Sequence, residues 1–244
     1  MKSILFKTTI FALLANLIFV AQFAMAQTST SSVVLKNAKT IYLTFDADMT
    51  VYMKNKLLSG KVKEWYDPEI ISYLEEKKIP ATIFVTGLFA EIYSQEIKQW
   101  TDNNLLIENH TYDHSAFESP CFGLKVLKLN KDKLAEIKKT QDILFKITGK
   151  NPKLFRYPGL CHNSSDDFLV RNMGLSINNG SLTANDAFNK NYASIVKTVL
   201  ARAKDQSVIL MHLGGPNAPS TSQALKQIIP QLEKMGFTFK SLDN

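Results

Sequence analysis

Several residue classes are scarce in this chain, and each shortage removes a reading. Cysteine occurs twice, as Cys121 and Cys161, so a Cys/His metal site of the finger type would lack ligands. No Lys/Arg block with interleaved aromatics occurs, and no nucleic acid is expected as a partner. The formal charge of +7 is spread through the chain; it suits an anionic surface such as a cell envelope, or is simply a solvated surface. Internal repeats and low-complexity linkers are absent, and 244 residues are ample for one large core and short for two domains. Histidine is limited to four positions, and two of them, His110 and His114, lie four residues apart.

The N-terminus reads as an export signal. Lys2 and Lys7 precede a nearly all-apolar run from Thr8 to Ala21, and Ala24-Met25-Ala26 is a small-x-small cleavage site. Residues 8–26 could just about cross a bilayer as an uncleaved anchor, but the cleavage site favours removal of residues 1–26. No cysteine adjoins that site to carry a lipid. The expectation is a periplasmic or secreted protein with no membrane span after cleavage, its net charge lowered by two lysines. Residues 27–38 read as a short flexible leader and residues 39–244 as the folded domain.

That domain alternates short β-rich runs with helical patterns. Strands are predicted over Thr40–Phe45, Ala81–Thr86, Leu105–Glu108, Leu154–Arg156, Leu175–Asn178, Val208–His212 and Phe237–Lys240. Asp67-Pro68 supplies a cap and a first-turn proline ahead of Ile70, Ile71 and Leu74. From Asn130 to Gly149 an apolar stripe of Leu134, Ile137, Leu144 and Ile147 faces away from the lysines, and Gly149 closes the helix. A last helix carries Ala224, Leu225, Ile228, Ile229 and Leu232, with a kink expected at Pro230 and an end at Gly236. About seven successive β/α units imply an α/β fold with a parallel sheet, closed or nearly closed into a barrel. Chemistry in such a barrel gathers at the carboxyl ends of the strands.

The candidate residues map to those ends. Asn109-His110-Thr111-Tyr112-Asp113-His114 follows a strand; if the segment coils, both imidazoles reach one side and can share a metal ion. A pair so spaced is otherwise two polar loop residues. Thr44-Phe45-Asp46-Ala47-Asp48 places two acids on one side of an extended end, where one can ligate a cation while the other handles a proton, or where they merely cap a turn. In Phe155-Arg156-Tyr157-Pro158-Gly159 the arginine can fix a carboxylate and the Pro-Gly turn can offer N–H groups to an oxyanion; an ordinary turn is the plain alternative. His212 ends an apolar strand, either as a core histidine or as a rim residue.

Together, Thr-Phe-Asp, His-Thr-x-x-His, Arg-x-Pro and a strand ending in Leu-x-His resemble the NodB-homology polysaccharide deacetylases, carbohydrate esterase family 4, in order and spacing. Ala81–Gly87 is similar to that family's second strand, and the resemblance runs from about Lys39 to Phe239. It implies a distorted (β/α)7–8 barrel of NodB-homology type that removes N-acetyl groups from amino sugars of a polymer such as peptidoglycan or a chitin-like glycan. It also implies a divalent metal, zinc first with cobalt, nickel or manganese as alternatives, held by Asp48, His110 and His114. Asp46 would be the general base, Arg156 its orienting partner and His212 the acid for the departing amine. The Gly159 N–H would face the oxyanion, and Tyr157, Pro158, Gly159 and Leu210 would line the substrate.

The chain departs from the family pattern at three places. Asp46-Ala47-Asp48 stands for two consecutive acids, and a branch of the family resembles this spacing, which is why the metal falls to Asp48. Gly159 and Leu160 replace an aromatic and a glycine, which is expected to widen the acetate pocket or change the sugar it takes. Asn185-Asp186-Ala187-Phe188 is a reduced fourth motif, in which Asp186 either tunes His212 or is a loop acid. Two other functions stay open: a carbohydrate-binding relative without turnover, and a hydrolase of O-acetyl esters or small amides. Cys121 and Cys161, in neighbouring βα loops of an oxidising compartment, are expected to pair, while His162 reads as a loop residue near substrate.

Overall fold

The computed structural model describes residues 39–243; the expected signal and leader lie outside the described residues. Eight strands form one parallel sheet: β1 (Lys39–Ala47), β2 (Thr82–Val85), β3 (Leu106–Asn109), β4 (Leu154–Phe155), β5 (Ser176–Ile177), β6 (Leu182–Thr183), β7 (Ser207–His212) and β8 (Phe237–Lys240). Pairing follows the path β5-β4-β3-β2-β1-β7-β6, with β8 on β1. The path begins and ends on two strands that are neighbours in sequence, so the sheet curls into an incomplete barrel, the distorted (β/α)7–8 form.

β1 is its centre. One edge pairs with β7 from Ile41 to Asp46; β8 takes Lys39–Tyr42 and β2 takes Thr44–Ala47 on the other. Ile41, Leu43, Phe45 and Ala47 on one face are all buried, and Thr44 and Asp46 on the other are buried as well, as expected of a parallel strand covered on both faces.

The helices are α1 (Val51–Leu58), α2 (Pro68–Lys77), α3 (Gly87–Ile92), α4 (Ser94–Asp102), α5 (Asn130–Thr148), α6 (Ser164–Asn172), α7 (Tyr192–Arg202) and α8 (Thr221–Lys234). The Asp67 side chain accepts the Glu69 N–H at 3.0 Å, so α2 starts where the sequence places its cap. Gly149 ends α5 at φ 71°, a left-handed position that glycine takes without steric cost. α8 runs on through Pro230 and buries its Ala224, Leu225, Ile228, Ile229 and Leu232 stripe, each large apolar side chain contributing about 1.5–3 kcal/mol.

One expectation about α5 needs correction. Its lysines do not all face water: Lys133 is buried, because its Nζ meets the buried Asp166 Oδ1 at 2.6 Å and lies over the Phe117 ring. An opposite charge on α6 compensates the burial that an unpaired lysine could not sustain. Lys133 thereby flanks a second, smaller core of Phe117, Leu127, Ile137, Phe155, Tyr157, Val170 and Leu175. This core underlies the loop between β3 and α5.

Candidate active site

Sheet register assembles the site. Asp46 on β1 stands opposite His212 on β7. On the other side Ala47 is level with Val85, Val85 with Asn109, and Asn109 with Phe155. The next residue along β1, β3 and β4 therefore leaves the sheet at one level, and those residues are Asp48, His110 and Arg156. Positions more than a hundred residues apart thus meet by pairing alone.

Arg156 is fully buried and uses every face of its guanidinium. NH1 donates to Asp46 Oδ1 at 2.6 Å, NH2 to Thr44 Oγ1 at 2.9 Å, and Nε to the Asn178 carbonyl at 2.9 Å, while the group stacks over the Phe84 ring at 3.9 Å. Asp46 is thereby fixed in direction by a charge-assisted hydrogen bond. The Arg156 carbonyl accepts from His110 Nδ1 at 2.8 Å. That bond places the proton on Nδ1 and leaves the Nε2 lone pair facing the site.

His114 arrives by a route the four-residue spacing does not describe. The segment is not a helical turn: Thr111 and His114 both have left-handed backbones, φ 66° and 62°, and fold the chain back so that the two imidazole centroids stand 5.0 Å apart. The Asn109 side chain accepts the Thr111 N–H at 3.0 Å, and Glu136 on α5 accepts the Tyr112 and Asp113 N–H groups at 2.9 and 3.0 Å. Two buried or half-buried acceptors thus offset the strain of the turn.

Asp48 Oδ1 lies 3.4 Å from His110 Nε2 and 3.3 Å from His114 Nε2. One ligand atom from each of the three residues falls within 4.8 Å of the others. Ligands bound at about 2.0–2.1 Å in a tetrahedron stand roughly 3.3–3.4 Å apart, so the spacing fits a divalent ion. Asp48 Oδ1 and His110 Nε2 are also buried with no hydrogen-bond partner among the described residues. Unsatisfied buried polar atoms are costly, and a cation is the group that an imidazole lone pair and a carboxylate oxygen would jointly satisfy. Burial acts against the Asp48 carboxylate, but His114, His110 and His212 hold it well below the usual carboxylate range. Burial pushes His114 down to about 4, and a neutral imidazole is the form that ligates.

His212 faces this group from β7, its Nε2 3.9 Å from Asp48 Oδ2. Its Nδ1 meets Asp186 Oδ1 at 3.0 Å; Asp186 Oδ2 accepts the His212 backbone N–H at 2.7 Å and the Thr221 hydroxyl at 2.7 Å. Burial opposes charge on His212, yet Asp186 and, beyond it, Asp48 and Asp46 raise it to about 10. Asp186 is fully buried and hydrogen-bonded to His212, and so is not a solvent-facing loop acid.

The remaining expected residues lie around this centre or behind it. Cys121 and Cys161 form a disulfide. Gly159 adopts φ +60°, and a Cβ there would meet Cys121 Sγ at 2.6 Å and Phe122 Cδ2 at 3.1 Å. The room expected from the missing aromatic is therefore taken by the disulfide and by Phe122. Pro158 is buried next to it. The Tyr157 ring is buried in the smaller core and stacks on His162 at 4.1 Å, and Leu210 is buried within β7; neither side chain faces open solvent. His162 is the expected loop residue, its ring nitrogens 2.8 Å from both Asn179 and Asp167. Glu136, Asn178 and Thr221 support the site but carry no motif, and only their place in the fold reveals them; Thr44 and Asn109 stand in the quoted motifs, and the hydrogen bonds show what they support.

Known proteins resemble this chain in sequence and fold. Residues 34–177 match the family model described as polysaccharide deacetylase. The peptidoglycan-N-acetylmuramic acid deacetylase PdaA of Bacillus subtilis (strain 168) is 27% identical over 214 residues, spanning 84% of this chain and 71% of that protein. The chitooligosaccharide deacetylase of Sinorhizobium fredii (strain NBRC 101917 / NGR234) is 28% identical over 221 residues, spanning 84% and 91%. Among solved structures, the peptidoglycan deacetylase PdaC of Bacillus subtilis superposes with a TM-score of 0.66 at 26% identity, over 85% of this chain and 89% of that one. With more than half of its length matching the family model, and with the sheet and the His/His/Asp group that accompany the match, the chain belongs to the polysaccharide deacetylase family.

Proposed function

We propose that this protein is a metal-dependent hydrolase that removes N-acetyl groups from amino sugars of an envelope or extracellular glycan, peptidoglycan or chitin-like. The observation that carries the reading is the cation-sized group of Asp48, His110 and His114 beside Asp46 and His212. The names of the relatives, deacetylases of peptidoglycan and of chitooligosaccharides, support the substrate class. Residues 39–244 form the catalytic domain, and the N-terminal signal sends it out of the cytoplasm to such a polymer.

Amide cleavage requires an activated water on one side of the carbonyl and a protonated nitrogen on the other. Asp48, His110 and His114 would hold a divalent ion, zinc in first place, which would supply Lewis acidity and lower the pKa of water to about 7. Asp46, aimed by Arg156, accepts the proton of the attacking water. His212, kept protonated by Asp186, donates to the leaving amine from the opposite side. The Gly159 N–H is assigned as the donor to the oxygen that gains charge.

Acetate release from N-acetylglucosamine oligomers and from isolated peptidoglycan tests this reading. Metal-loaded protein is expected to release acetate, and Asp46→Asn to keep its metal while losing turnover. Binding of glycan with no acetate from any N-acetyl substrate would establish a carbohydrate-binding relative instead. Release only from O-acetyl substrates would move the assignment to esters.

A further inference from the structure

We propose that Phe122 is a sugar-stacking residue that determines specificity at this site, presented by the Cys121–Cys161 disulfide. The inference rests on the function proposed above. Phe122 is 88% exposed, which runs against the tendency of large apolar side chains to be covered. Its backbone runs against local preference as well. Cys121–Leu124 is a tight turn closed by the Leu124 N–H to the Cys121 carbonyl at 2.7 Å, and both central residues are left-handed, Phe122 at φ 47° and Gly123 at φ 75°. Turns with two such positions favour Asn, Asp or Gly at the first of them. A phenylalanine held there is disfavoured twice, by conformation and by hydration. Strained exposed residues that the surroundings over-determine are found at binding sites.

The surroundings do over-determine it. The disulfide pins the residue before it to the loop after β4. The Phe117 N–H donates to the Cys161 carbonyl at 3.3 Å, and the neck of the loop closes through Ala116 N–H to Lys125 O at 2.8 Å and Leu127 N–H to Ala116 O at 2.9 Å. Phe117 and Leu127 are buried in the smaller core. The tip is thus anchored at its base and at its side, and Phe122 is the large apolar side chain that it exposes.

Its position gives the ring a use. Phe122 Cδ2 lies 3.1 Å from where a Gly159 side chain would begin, and Gly159 is three residues from the arginine that holds Asp46. The negative face of an aromatic ring attracts the weakly positive C–H face of a pyranose, and an exposed, preorganised ring loses little freedom on binding. The ligand class is therefore the pyranose ring of an N-acetylated glycan, seated next to the residue whose acetamide is cleaved.

Titration of N-acetylglucosamine oligomers into Asp46→Asn protein, with KM and kcat for acetate release measured in the otherwise unaltered chain, tests the assignment. Phe122→Ala is expected to raise both Kd and KM about tenfold, with a smaller change in kcat; Phe122→Trp is expected to restore binding, and Phe122→Leu to fail to do so. Affinity within twofold of the parent in Phe122→Ala, or equal rescue by Leu and Trp, overturns the proposal. If the unaltered chain releases acetate while Phe122→Ala keeps its affinity, only this inference falls. If the unaltered chain neither binds nor deacetylates any such glycan, the functional reading falls and takes this inference with it.

Discussion

Asp186→Asn separates the two tasks that one buried carboxylate performs. Asp186 Oδ2 receives two donors, the His212 N–H and the Thr221 hydroxyl, each at 2.7 Å, while Oδ1 faces His212 Nδ1 at 3.0 Å. Asparagine has a single acceptor oxygen, and two donors will claim it. The amide NH2 then turns toward Nδ1 and donates to it, so that a doubly protonated imidazole would meet a donor where it now meets a carboxylate. Asp186, with Asp48 and Asp46 adding to it, raises His212 from 6.5 to about 10 against the effect of burial, roughly 5 kcal/mol in all in favour of the charged ring at about 1.36 kcal/mol per unit. The substitution removes most of that support and adds an opposing dipole. A proton donor lost in this way lowers kcat by about 10²–10⁴. Acetate release across pH is the assay: kcat should fall by that factor, with the upper limb of the profile moved to lower pH and metal content kept, since Asp186 lies outside the Asp48/His110/His114 group. A variant with kcat within threefold of the parent and an unmoved upper limb would refute the role given to the Asp186–His212 pair.

Two further predictions concern the scaffold. Burial pushes the Glu108 carboxyl up to about 7 despite its bonds from the Lys153 and Leu154 N–H groups at 2.7 and 2.6 Å. Because the folded value lies above the unfolded one, this group's contribution is complete below about pH 4.5 and is lost as pH rises through 7, a change of about 3 kcal/mol. Urea unfolding at pH 5 and pH 8 should show a smaller pH-dependent loss for Glu108→Gln than for the parent, and an equal loss would contradict the assignment. The Cys121–Cys161 bridge spans 40 residues in sequence, and replacing both by serine should cost about 3–4 kcal/mol; a difference below about 1 kcal/mol in urea unfolding would show that the loop's hydrogen bonds and buried side chains suffice without the bridge.

Most of the site was legible in the sequence because strand ends in a parallel sheet converge. Apolar runs fix β1, β3 and β7, and the residue at each end then has one place to go, which brings Asp48, His110 and His212 together without knowledge of the loops. What escaped detection has no periodic signature. β6 is two residues long and exists through its register with β7, Leu182 opposite Ile209. The approach of His114 to His110 depends on two left-handed residues and on Glu136 in α5, a contact across sequence that no local pattern encodes. Lys133 sits on the buried face of α5 because Asp166 waits there on another helix. Asp186 reads from sequence as either a loop acid or a partner of His212, and only the hydrogen bonds to His212 and Thr221 decide between them. Gly159 suggested empty space, which the disulfide and the Phe122 ring in fact occupy.

The measurement closest to the central claim is elemental analysis of the purified chain and of its Asp48→Ala, His110→Ala and His114→Ala variants, paired with acetate release. One divalent ion per chain is expected in the parent, with affinity reduced at least about a hundredfold and acetate release lost in each variant. Full metal content in any one of the three would contradict the site built here from Asp48, His110 and His114.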